Sequence, residues 1–290
     1  MTTTTSGIQP KRIGITSKAR SEDLVVVRRL VAALEEQVAV VLDETTAAKL
    51  QREGTRVGDM AVDLLVCVGG DGTILRALHA VKSTTPVLGI NTGAIGFLAE
   101  VQPEASVATL TSLLQGFDVG PRERLAVRVN GKAETMPYAM NEVVAITSRP
   151  GKLLHFAIFV DDDELEWLRA DGVIFATPTG STAYAMSAGG PIVDPAVNAT
   201  IIVPIAPFKL SARPTVVAIE SEIGFQLLEE KPAEIVIDGQ YYRAIRKEER
   251  ITVTRGEPAF FVTLGDKHFL KLRYKLRVED ERDNRIRRLI

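Results

Sequence analysis

The chain has 290 residues, of which 46% are hydrophobic and 25% are charged, as in a globular protein with one large domain or two ordinary ones. A formal net charge of -2 excludes a general attraction to nucleic acid or anionic membranes. No apolar run approaches the roughly 20 residues that span a bilayer. The Thr-rich stretch Met1 to Pro10 lacks the apolar segment of a signal peptide and is predicted to be a loose tail. The single cysteine, Cys67, cannot form an internal disulfide, and we expect a cytoplasmic protein.

Apolar strands alternate with helical spacing in the first part of the chain. The predicted strands are Lys11 to Thr16, Val38 to Leu42, Val62 to Val68 and Pro86 to Asn91. The predicted helices are Glu22 to Gln37, Ala47 to Gln51, a helix from Thr73, and Glu104 to Leu114. This alternation implies a parallel sheet with helices on its faces. Ligands bind at the carboxyl ends of such strands, where Asp71 and Asn91 fall.

The junction between the third strand and the helix from Thr73 reads Gly69-Gly70-Asp71-Gly72-Thr73. Glycines allow a tight turn and let a ligand approach bare backbone, and the amino end of a helix suits a phosphate group. Asp71 repels an anion unless it holds a metal or accepts a proton. The motif is neither a Walker A loop nor Gly-x-Gly-x-x-Gly. Read alone, it fits an ordinary turn that contains aspartate equally well.

The chain changes character after Pro121, where many short strands occur with few helices. Asn130-Gly131 indicates a hairpin turn, and the acidic run Asp161 to Asp163 fits a solvated hairpin tip better than a metal site. The predicted strands are Leu125 to Val129, Met140 to Ile146, Leu153 to Val160, Glu164 to Leu168, Val173 to Ala176, Ile201 to Val203, Val216 to Ile219, Ile235 to Ile237, Ile251 to Thr254 and Phe260 to Leu264. This pattern predicts a β-rich second domain, followed from about Lys267 by a highly charged helix.

Three polar clusters stand in this second part. Asn141-Glu142 opens an otherwise apolar strand, and Asp238-Gly239-Gln240 ends another; each, read alone, fits edge polarity or a turn. The block from Arg169 through Thr177-Pro178-Thr179-Gly180-Ser181-Thr182 to Pro191 is rich in hydroxyls and glycine. In this block Ser181 or Thr182 is predicted to cap a short helix, which favours a hydroxyl-rich ligand.

Together these residues resemble the NAD kinase family, in the family's order and at compatible spacing, from about residue 11 to about 276. The glycine turn alone is weak evidence for this family, because diacylglycerol kinases, sphingosine kinases and 6-phosphofructokinases carry related versions of it. The block from Arg169 to Pro191 is specific. The resemblance implies a 6-phosphofructokinase-like α/β domain with a parallel sheet at residues 8–119. It also implies a β-rich NAD-binding domain at residues 120–266 and a last segment, about residues 267–290, that packs back on the first domain.

The implied reaction is phosphoryl transfer to the 2′-hydroxyl of the adenosine ribose of NAD, giving NADP. By resemblance, Asp71 accepts the proton of that hydroxyl, while Asn141 and Glu142 hold the ribose and help place the metal and phosphates. The implied NAD contacts are Asp71, Gly72, Arg76, Asn141, Glu142, Lys152, Arg169, Asp171, Thr182, Ala183, Tyr184, Ala185, Met186, Ser187 and Gln240. The implied phosphate or ATP contacts are Gly69, Gly70, Gly72, Thr73 and Asn91.

The resemblance further implies Mg²⁺, with no metal-binding residue assigned for certain, and ATP or polyphosphate as the donor. The implied partners are small nucleotides, with neither nucleic acid nor membrane, in a homodimer or homotetramer. Two departures are visible: Phe208 follows Pro204-Ile205-Ala206-Pro207, where the family often has histidine, and Lys152 corresponds by spacing only. A lipid or sugar kinase with the same turn, and a non-catalytic NAD(H)-binding regulatory protein, remain the alternatives.

Overall fold

The computed structural model describes residues 5–93, 96–133 and 136–265 of the chain. The predicted charged helix and the last segment that was expected to pack back on the first domain lie outside the described residues. The chain divides into two compact units. The first comprises, of the described residues, 5–77, 85–93, 96–120 and 261–265, and the second comprises 78–84, 121–133 and 136–260.

Strands outnumber helices in the described part of the chain. The strands are β1 (Thr5–Ile8), β2 (Arg12–Ser17), β3 (Ala39–Leu42), β4 (Leu64–Gly69), β5 (Val87–Asn91), β6 (Phe117–Arg122), β7 (Leu125–Val129), β8 (Lys132–Ala133), β9 (Glu142–Thr147), β10 (Leu154–Val160), β11 (Asp163–Ala170), β12 (Gly172–Ala176), β13 (Ala199–Ile205), β14 (Thr215–Ala218), β15 (Ile223–Leu227), β16 (Ala233–Ile237), β17 (Tyr241–Ile245), β18 (Arg250–Arg255) and β19 (Ala259–Val262). The helices are α1 (Ser21–Leu34), α2 (Glu44–Leu50), α3 (Asp71–Ala80), α4 (Ser106–Leu113) and α5 (Tyr184–Ser187). Short 3-10 helices lie at Val57–Asp59, Pro103–Ala105 and Thr179–Thr182. None of these helices is both long and apolar enough to cross a bilayer.

The first unit is built on a seven-stranded sheet in the order β1-β6-β19-β5-β4-β2-β3. The pairs β2–β3, β2–β4, β4–β5 and β5–β19 are parallel. Every residue of β4 and β5 is buried, as expected for central strands of a parallel sheet that is covered on both faces. The predicted parallel α/β unit is therefore confirmed, and the strand register places Gly69 beside Asn91 at the carboxyl ends of β4 and β5.

The N-terminal stretch differs from its prediction. Thr5 to Ile8 form β1, which pairs antiparallel with β6 and places Thr5 opposite Val119. The prediction of a loose tail was wrong because it relied on the missing apolar pattern. An edge strand is held by backbone hydrogen bonds and needs no such pattern, and threonine favours extended backbone.

The second unit contains two six-stranded sheets whose paired strands are antiparallel. One has the order β11-β10-β15-β18-β7-β8, and the other has the order β14-β13-β12-β9-β16-β17. Both sheets contribute to one core, in which the rings of Phe156 and Phe225 are 5.1 Å apart and pack with Val143 and Phe175. The opposite face of β9 and β12 is buried as well, because α5 covers it through Ala185. The predicted β-rich domain is confirmed.

Two of its predicted turns are two-residue hairpins with positive φ at both positions. Asn130 and Gly131 have φ of 50° and 70°, and Asp161 and Asp162 have φ of 51° and 68°. This is the signature of the type I′ turn, whose twist matches that of paired strands. The Asp161 carboxylate binds the Ser221 hydroxyl at 2.9 Å, so the acidic run is a hairpin tip as predicted.

Four strands besides β1 were not predicted: β6, β8, β15 in the interior of its sheet, and β17 at the edge of its sheet. β15 contains Gly224 and Gln226, and β17 begins with two tyrosines and an arginine, so neither shows an apolar run. β15 is paired on both sides by β10 and β18, and β17 follows the Asp238-Gly239 turn from β16. Pairing with neighbouring strands decides both, because backbone hydrogen bonds do not depend on side-chain pattern.

The Asn130-Gly131 turn makes a backbone test possible. Gly131 has φ of 70°, and a Cβ placed on it would meet no atom within 4 Å. We expect Gly131→Ala to lower the free energy of unfolding by about 1–2 kcal/mol, because the left-handed conformation alone is penalised. Urea unfolding measures this loss.

The matched variants for this test are Gly131→Asn and Gly120→Ala. Asparagine tolerates the left-handed region, so Gly131→Asn should lose less stability than Gly131→Ala. A Cβ on Gly120 would lie 3.5 Å from Thr263 Oγ1, an ordinary contact, without positive φ. Equal stability of Gly131→Ala and the unchanged protein would contradict the assigned turn.

Candidate active site

In the first unit, the site is built on the turn between β4 and α3. Gly69 has φ of 156°, and a Cβ on it would stand 2.2 Å from Thr73 Oγ1, so only glycine fits there. A Cβ on Gly70 would meet nothing within 4 Å, which leaves its backbone open to a ligand. The α3 helix begins at Asp71 and points its free N–H groups into this turn. The local sequence therefore produces an open backbone surface at the positive end of a helix.

The Asp71 carboxylate is held by three consecutive backbone N–H groups. Phe97 donates to Oδ2 at 2.7 Å, and Leu98 and Ala99 donate to Oδ1 at 3.0 and 3.2 Å. Because each oxygen has two lone pairs, these bonds fill Oδ1 and leave one lone pair on Oδ2. Gly96 makes room for this arrangement, since a Cβ on it would lie 2.9 Å from Asp71 Oδ1. Asp71 thus has a fixed orientation and, counting donors from the described residues, one free acceptor position.

Asn91 and its loop lie beside the same turn. Asn91 is buried, and its Oδ1 accepts the Gly93 N–H at 3.0 Å. Thr92 donates its backbone N–H to Gly69 at 3.3 Å and its hydroxyl to the buried Asp23 carboxylate at 2.5 Å. Asn91 therefore shapes the loop, and the structure brings it next to the glycine turn.

Three further side chains of the first unit stand near this turn. Thr73 is buried, and its Oγ1 has no hydrogen-bond partner among the described residues. Arg76 is exposed on α3. Lys18, which the sequence analysis did not single out, is exposed, and its Nζ lies 3.6 Å from the position that a Cβ on Gly72 would occupy. Its only sequence signal is its place directly after β2, at the carboxyl edge of the parallel sheet.

In the second unit, the Asn141-Glu142 segment is organised by Asp238. The Asp238 carboxylate accepts the backbone N–H groups of Met140 and Asn141, each at 2.8 Å, and of Glu142 at 3.0 Å. Asp238 and Gly239 both have positive φ, of 49° and 64°, so they form the turn between β16 and β17. Asp238 was predicted only as part of a turn and was not among the predicted site residues. The Asp-Gly pair signals the turn, but nothing local signals the partners of the carboxylate.

Glu142 is buried and carries an unsatisfied carboxylate oxygen. Its Oε2 has no hydrogen-bond partner among the described residues. Burial raises the pKa of Glu142 to about 8, with the negative charge of Asp238 adding to the rise and a hydrogen bond from the Tyr184 backbone opposing it. A buried carboxylate with a strongly raised pKa and a free oxygen is typical of a functional site.

The hydroxyl-rich block packs against Asn141. Thr177 donates its N–H to the Asn141 carbonyl at 2.9 Å, and its hydroxyl donates to the Met140 carbonyl at 2.7 Å. A Cβ on Gly180 would lie 2.0 Å from the Asn141 carbonyl oxygen, so only glycine allows this approach. The structure therefore brings this block and the Asn141-Glu142 segment together.

The predicted helix cap in this block was wrong. The helix α5 begins after Ala183, and no side chain caps it. The Ser181 hydroxyl donates to the Pro178 carbonyl at 2.6 Å, and the Thr182 hydroxyl donates to the Thr179 carbonyl at 3.4 Å. Both hydroxyls serve the preceding 3-10 turn because those carbonyls are the nearest acceptors.

The other predicted residues are spread over the second unit. Thr182 and Ala185 are buried, Ala183 and Met186 are half-buried, and Tyr184 and Ser187 are exposed on α5. Arg169 is exposed on β11, with its guanidinium carbon 6.0 Å from the centre of the Phe208 ring. Asp171 lies between β11 and β12, and Gln240 follows the Asp238 turn. Lys152 is exposed just before β10, and its backbone N–H donates to the Arg149 carbonyl at 3.1 Å.

The raised pKa of Glu142 predicts a pH-dependent stability. Between the ordinary pKa of about 4.5 and the folded value of about 8, the folded state keeps a proton that the unfolded state has lost. Stability therefore falls by about 1.4 kcal/mol for each pH unit in this window. We expect Glu142→Gln to melt below or near the unchanged protein at pH 4.5 and clearly above it at pH 8.

Melting temperatures across this pH range test the prediction in the absence of ligand. Glu164→Gln is the matched control, because Glu164 is exposed on β11 and its loss should leave the pH dependence unchanged. A Glu142→Gln curve parallel to that of the unchanged protein would refute the buried ionisation.

Comparison with known proteins assigns both parts of the chain to one family. The family described as the ATP-NAD kinase N-terminal domain matches residues 11–117, and the ATP-NAD kinase C-terminal domain matches residues 140–263. The NAD kinase of Methanosarcina mazei is 47% identical over 265 residues, 89% of this chain and 91% of that relative. The NAD kinase of Methanothermobacter thermautotrophicus is 44% identical over 274 residues, 91% of this chain and 96% of that relative.

Solved structures agree with this assignment. The crystal structure of an NAD kinase from Archaeoglobus fulgidus in complex with ATP has a TM-score of 0.76 at 34% identity, over 92% of this chain and 98% of that chain. Yeast NADH kinase complexed with NADH has a TM-score of 0.81 at 26% identity, over 90% of this chain and 85% of that chain. The resemblance read from the motifs is thereby confirmed, and the chain belongs to the NAD kinase family.

Proposed function

We propose that the protein transfers a phosphoryl group from ATP or another phosphate donor to the 2′-hydroxyl of the adenosine ribose of NAD, giving NADP. The observation that carries the proposal is the Asp71 carboxylate, which is fixed by three N–H groups and keeps one lone pair on Oδ2. A base must be held within reach of the proton it accepts, and this arrangement orients one acceptor position. Family membership supplies the acceptor and the donor.

The phosphates of the donor are assigned to the glycine turn. Gly70 leaves its backbone open, and α3 directs its free N–H groups and its positive dipole end toward the turn. Phosphoryl transfer depends on positioning and charge stabilisation more than on covalent help from the protein. The turn therefore supplies the main requirement of the reaction, and Asn91 shapes the loop beside it.

The ribose is assigned to Asn141 and Glu142. Both sit on a segment whose backbone is fixed by Asp238, and Glu142 Oε2 is a buried acceptor without a partner among the described residues. A ribose hydroxyl would satisfy this oxygen, which explains why a costly buried carboxyl is present. The remaining NAD contacts implied by resemblance, including Arg169, Asp171 and the residues of α5, are part of the same proposal.

Mg²⁺ belongs to the proposal as the partner of the phosphates. Among the described residues, no group of three or more His, Cys, Asp or Glu side chains is arranged to hold a metal. Mg²⁺ usually binds through one or two carboxylates, phosphate oxygens and water, so it does not require such a cage. In the first unit, Asp71 Oδ2 is a carboxylate oxygen that could contact such an ion, and the bound ion would neutralise phosphate charge.

An assay of NADP formation tests the function. Purified protein is mixed with Mg²⁺, with NAD or NADH, and with ATP or polyphosphate, and the product is quantified. NADP formation from NAD supports the proposal. Phosphorylation of a lipid or sugar without NADP would favour the kinases that share the turn, and NAD binding without any transfer would favour a regulatory protein.

Asp71→Asn tests the proton-accepting role. We expect turnover to fall by about 10²–10⁴-fold, because general-base help contributes that much. The amide cannot accept from both Phe97 and the pair Leu98 and Ala99, so one hydrogen bond to the loop is lost as well. We expect this loss to lower stability by about 1–3 kcal/mol while NAD still binds.

Calorimetric NAD binding and melting temperature separate the two effects. Asp59→Asn is the matched control, since Asp59 is exposed in the 3-10 helix Val57–Asp59 and should leave turnover unchanged. Turnover of Asp71→Asn within a few-fold of the unchanged protein would rule out the assigned base.

Lys18 is proposed to attract the donor phosphates, because its ammonium lies beside Gly72. We expect Lys18→Met to raise the KM for ATP by about tenfold, since one charge-assisted phosphate contact contributes roughly 1.5 kcal/mol or more. The KM for NAD should change much less. Steady-state kinetics with each substrate varied measures this difference, and an unchanged KM for ATP would exclude the contact.

A homodimer or homotetramer in the cytoplasm completes the proposal. Large apolar side chains are exposed in the second unit, notably Trp167, Phe208 and the 91% exposed Leu210. Such side chains are common at subunit interfaces. Sedimentation equilibrium measures the subunit number, and a monomer at micromolar concentration would contradict this part of the proposal.

A further inference from the structure

The Asp238 carboxylate has a fourth donor besides the three backbone groups of residues 140–142. His79 Nε2 lies 2.8 Å from Asp238 Oδ2, which also accepts the Met140 N–H. Oδ1 accepts the N–H groups of Asn141 and Glu142. Two bonds on each oxygen use all four lone pairs, so Asp238 has no acceptor position left for a substrate. It acts as a structural centre rather than as a ligand-binding group.

His79 differs from the other three donors because it comes from a different part of the chain. Those donors belong to the segment that Asp238 organises, whereas His79 comes from the last turn of α3 and is 159 residues away in sequence. The Asp238 side chain is fully buried, and that of His79 is 12% exposed. Because a carboxylate only accepts, Nε2 carries the proton of this hydrogen bond. His79 thus fixes the Asp238 carboxylate, which in turn fixes the backbone of residues 140–142.

We propose that His79 is a positioning residue for NAD phosphorylation, which sets Asn141 and Glu142 by fixing the Asp238 carboxylate. The consequence for catalysis rests on the proposed function, while the structural part does not. Without His79, Oδ2 keeps a single donor and the carboxylate can turn about its Cα–Cβ bond. The three N–H groups then lose a fixed acceptor, and the two side chains lose their orientation toward the ribose.

We expect the loss of His79 to impair the use of NAD, the phosphoryl acceptor, and not the use of ATP, the phosphoryl donor. A misplacement of about 1 Å can lower a rate by roughly 10²-fold, and we expect His79→Ala to lower kcat/KM for NAD by about 10–100-fold. The KM for ATP should stay within about twofold, because neither His79 nor Asp238 contacts the glycine turn among the described hydrogen bonds. A smaller fraction of folded protein would instead lower the measured rates by the same factor whether NAD or ATP is varied.

Two conservative variants distinguish the hydrogen bond from the bulk of the ring. The amide nitrogen of glutamine reaches the position of Nε2, whereas that of asparagine reaches only the position of Nδ1. His79→Gln should therefore restore most of the NAD kinetics, and His79→Asn should not. His155→Ala is the matched control, since His155 of β10 also faces a carboxylate, that of Glu229 at 3.3 Å, but both side chains are more exposed than those of His79 and Asp238.

A ligand-free measurement tests the structural part independently. Backbone amide exchange at residues 140–142 should be about tenfold faster in His79→Ala and His79→Asn than in His79→Gln and in His155→Ala. Wild-type protein that makes no NADP would refute the proposed function, and exchange would still decide whether His79 holds the segment.

Two results would contradict the positioning role of His79. Unchanged exchange at residues 140–142 in His79→Ala overturns the proposal, and so do equal NAD kinetics of the glutamine and asparagine variants. If His79→Ala does not fold, the comparison of His79→Gln with His79→Asn decides, since both keep a polar side chain at this position.

Discussion

In each of the two units, a carboxylate that accepts three consecutive backbone N–H groups organises the candidate functional residues. Asp71 gathers residues 97–99 in the first unit, and Asp238 gathers residues 140–142 in the second. Charge-assisted bonds to backbone amides are stronger than neutral ones, and here they fix the loop at residues 97–99 and the entry into β9 at residues 140–142. The two aspartates differ in the number of carboxylate lone pairs that remain without a donor among the described residues. Asp71 keeps one lone pair for chemistry, whereas Asp238 has none.

This difference separates a carboxylate that can still accept a proton or a cation from one whose lone pairs are all used. Asp71 is held firmly, yet it can still accept a proton or a cation. Asp238 is buried and saturated, and its charge is one reason that the pKa of Glu142 rises to about 8. The fold thus keeps the carboxyl groups of Glu142 and Asp238 near each other in a buried place. This arrangement opposes stability and is characteristic of sites retained for function.

Much of the fold was predictable because its signals are local. The run of buried residues in β4, the two glycines after it and the helical spacing of α3 all lie within a few residues of one another. The Asn130-Gly131 and Asp161-Asp162 turns follow from the ability of these residues to adopt positive φ. The edge strands β1 and β17 and the interior strand β15 were not predictable in this way. β1 and β15 pair with strands that are distant in sequence, whereas β17 pairs with β16 across a tight turn although it has no apolar run.

By itself, the sequence determined the strand–turn–helix unit at Gly69 to Thr73, the β-rich character of the second unit and, through its motifs, the family. It also supplied Asp71, Asn141 and Glu142 as candidates, because their residue types and order carry chemical information. Only the tertiary structure decided the partners of these side chains. The three amides on Asp71 come from a loop 26 to 28 residues later, and His79 meets Asp238 across 159 residues. A hydrogen bond requires two atoms within about 3 Å. Sequence order alone does not specify which distant atoms the packed core brings that close.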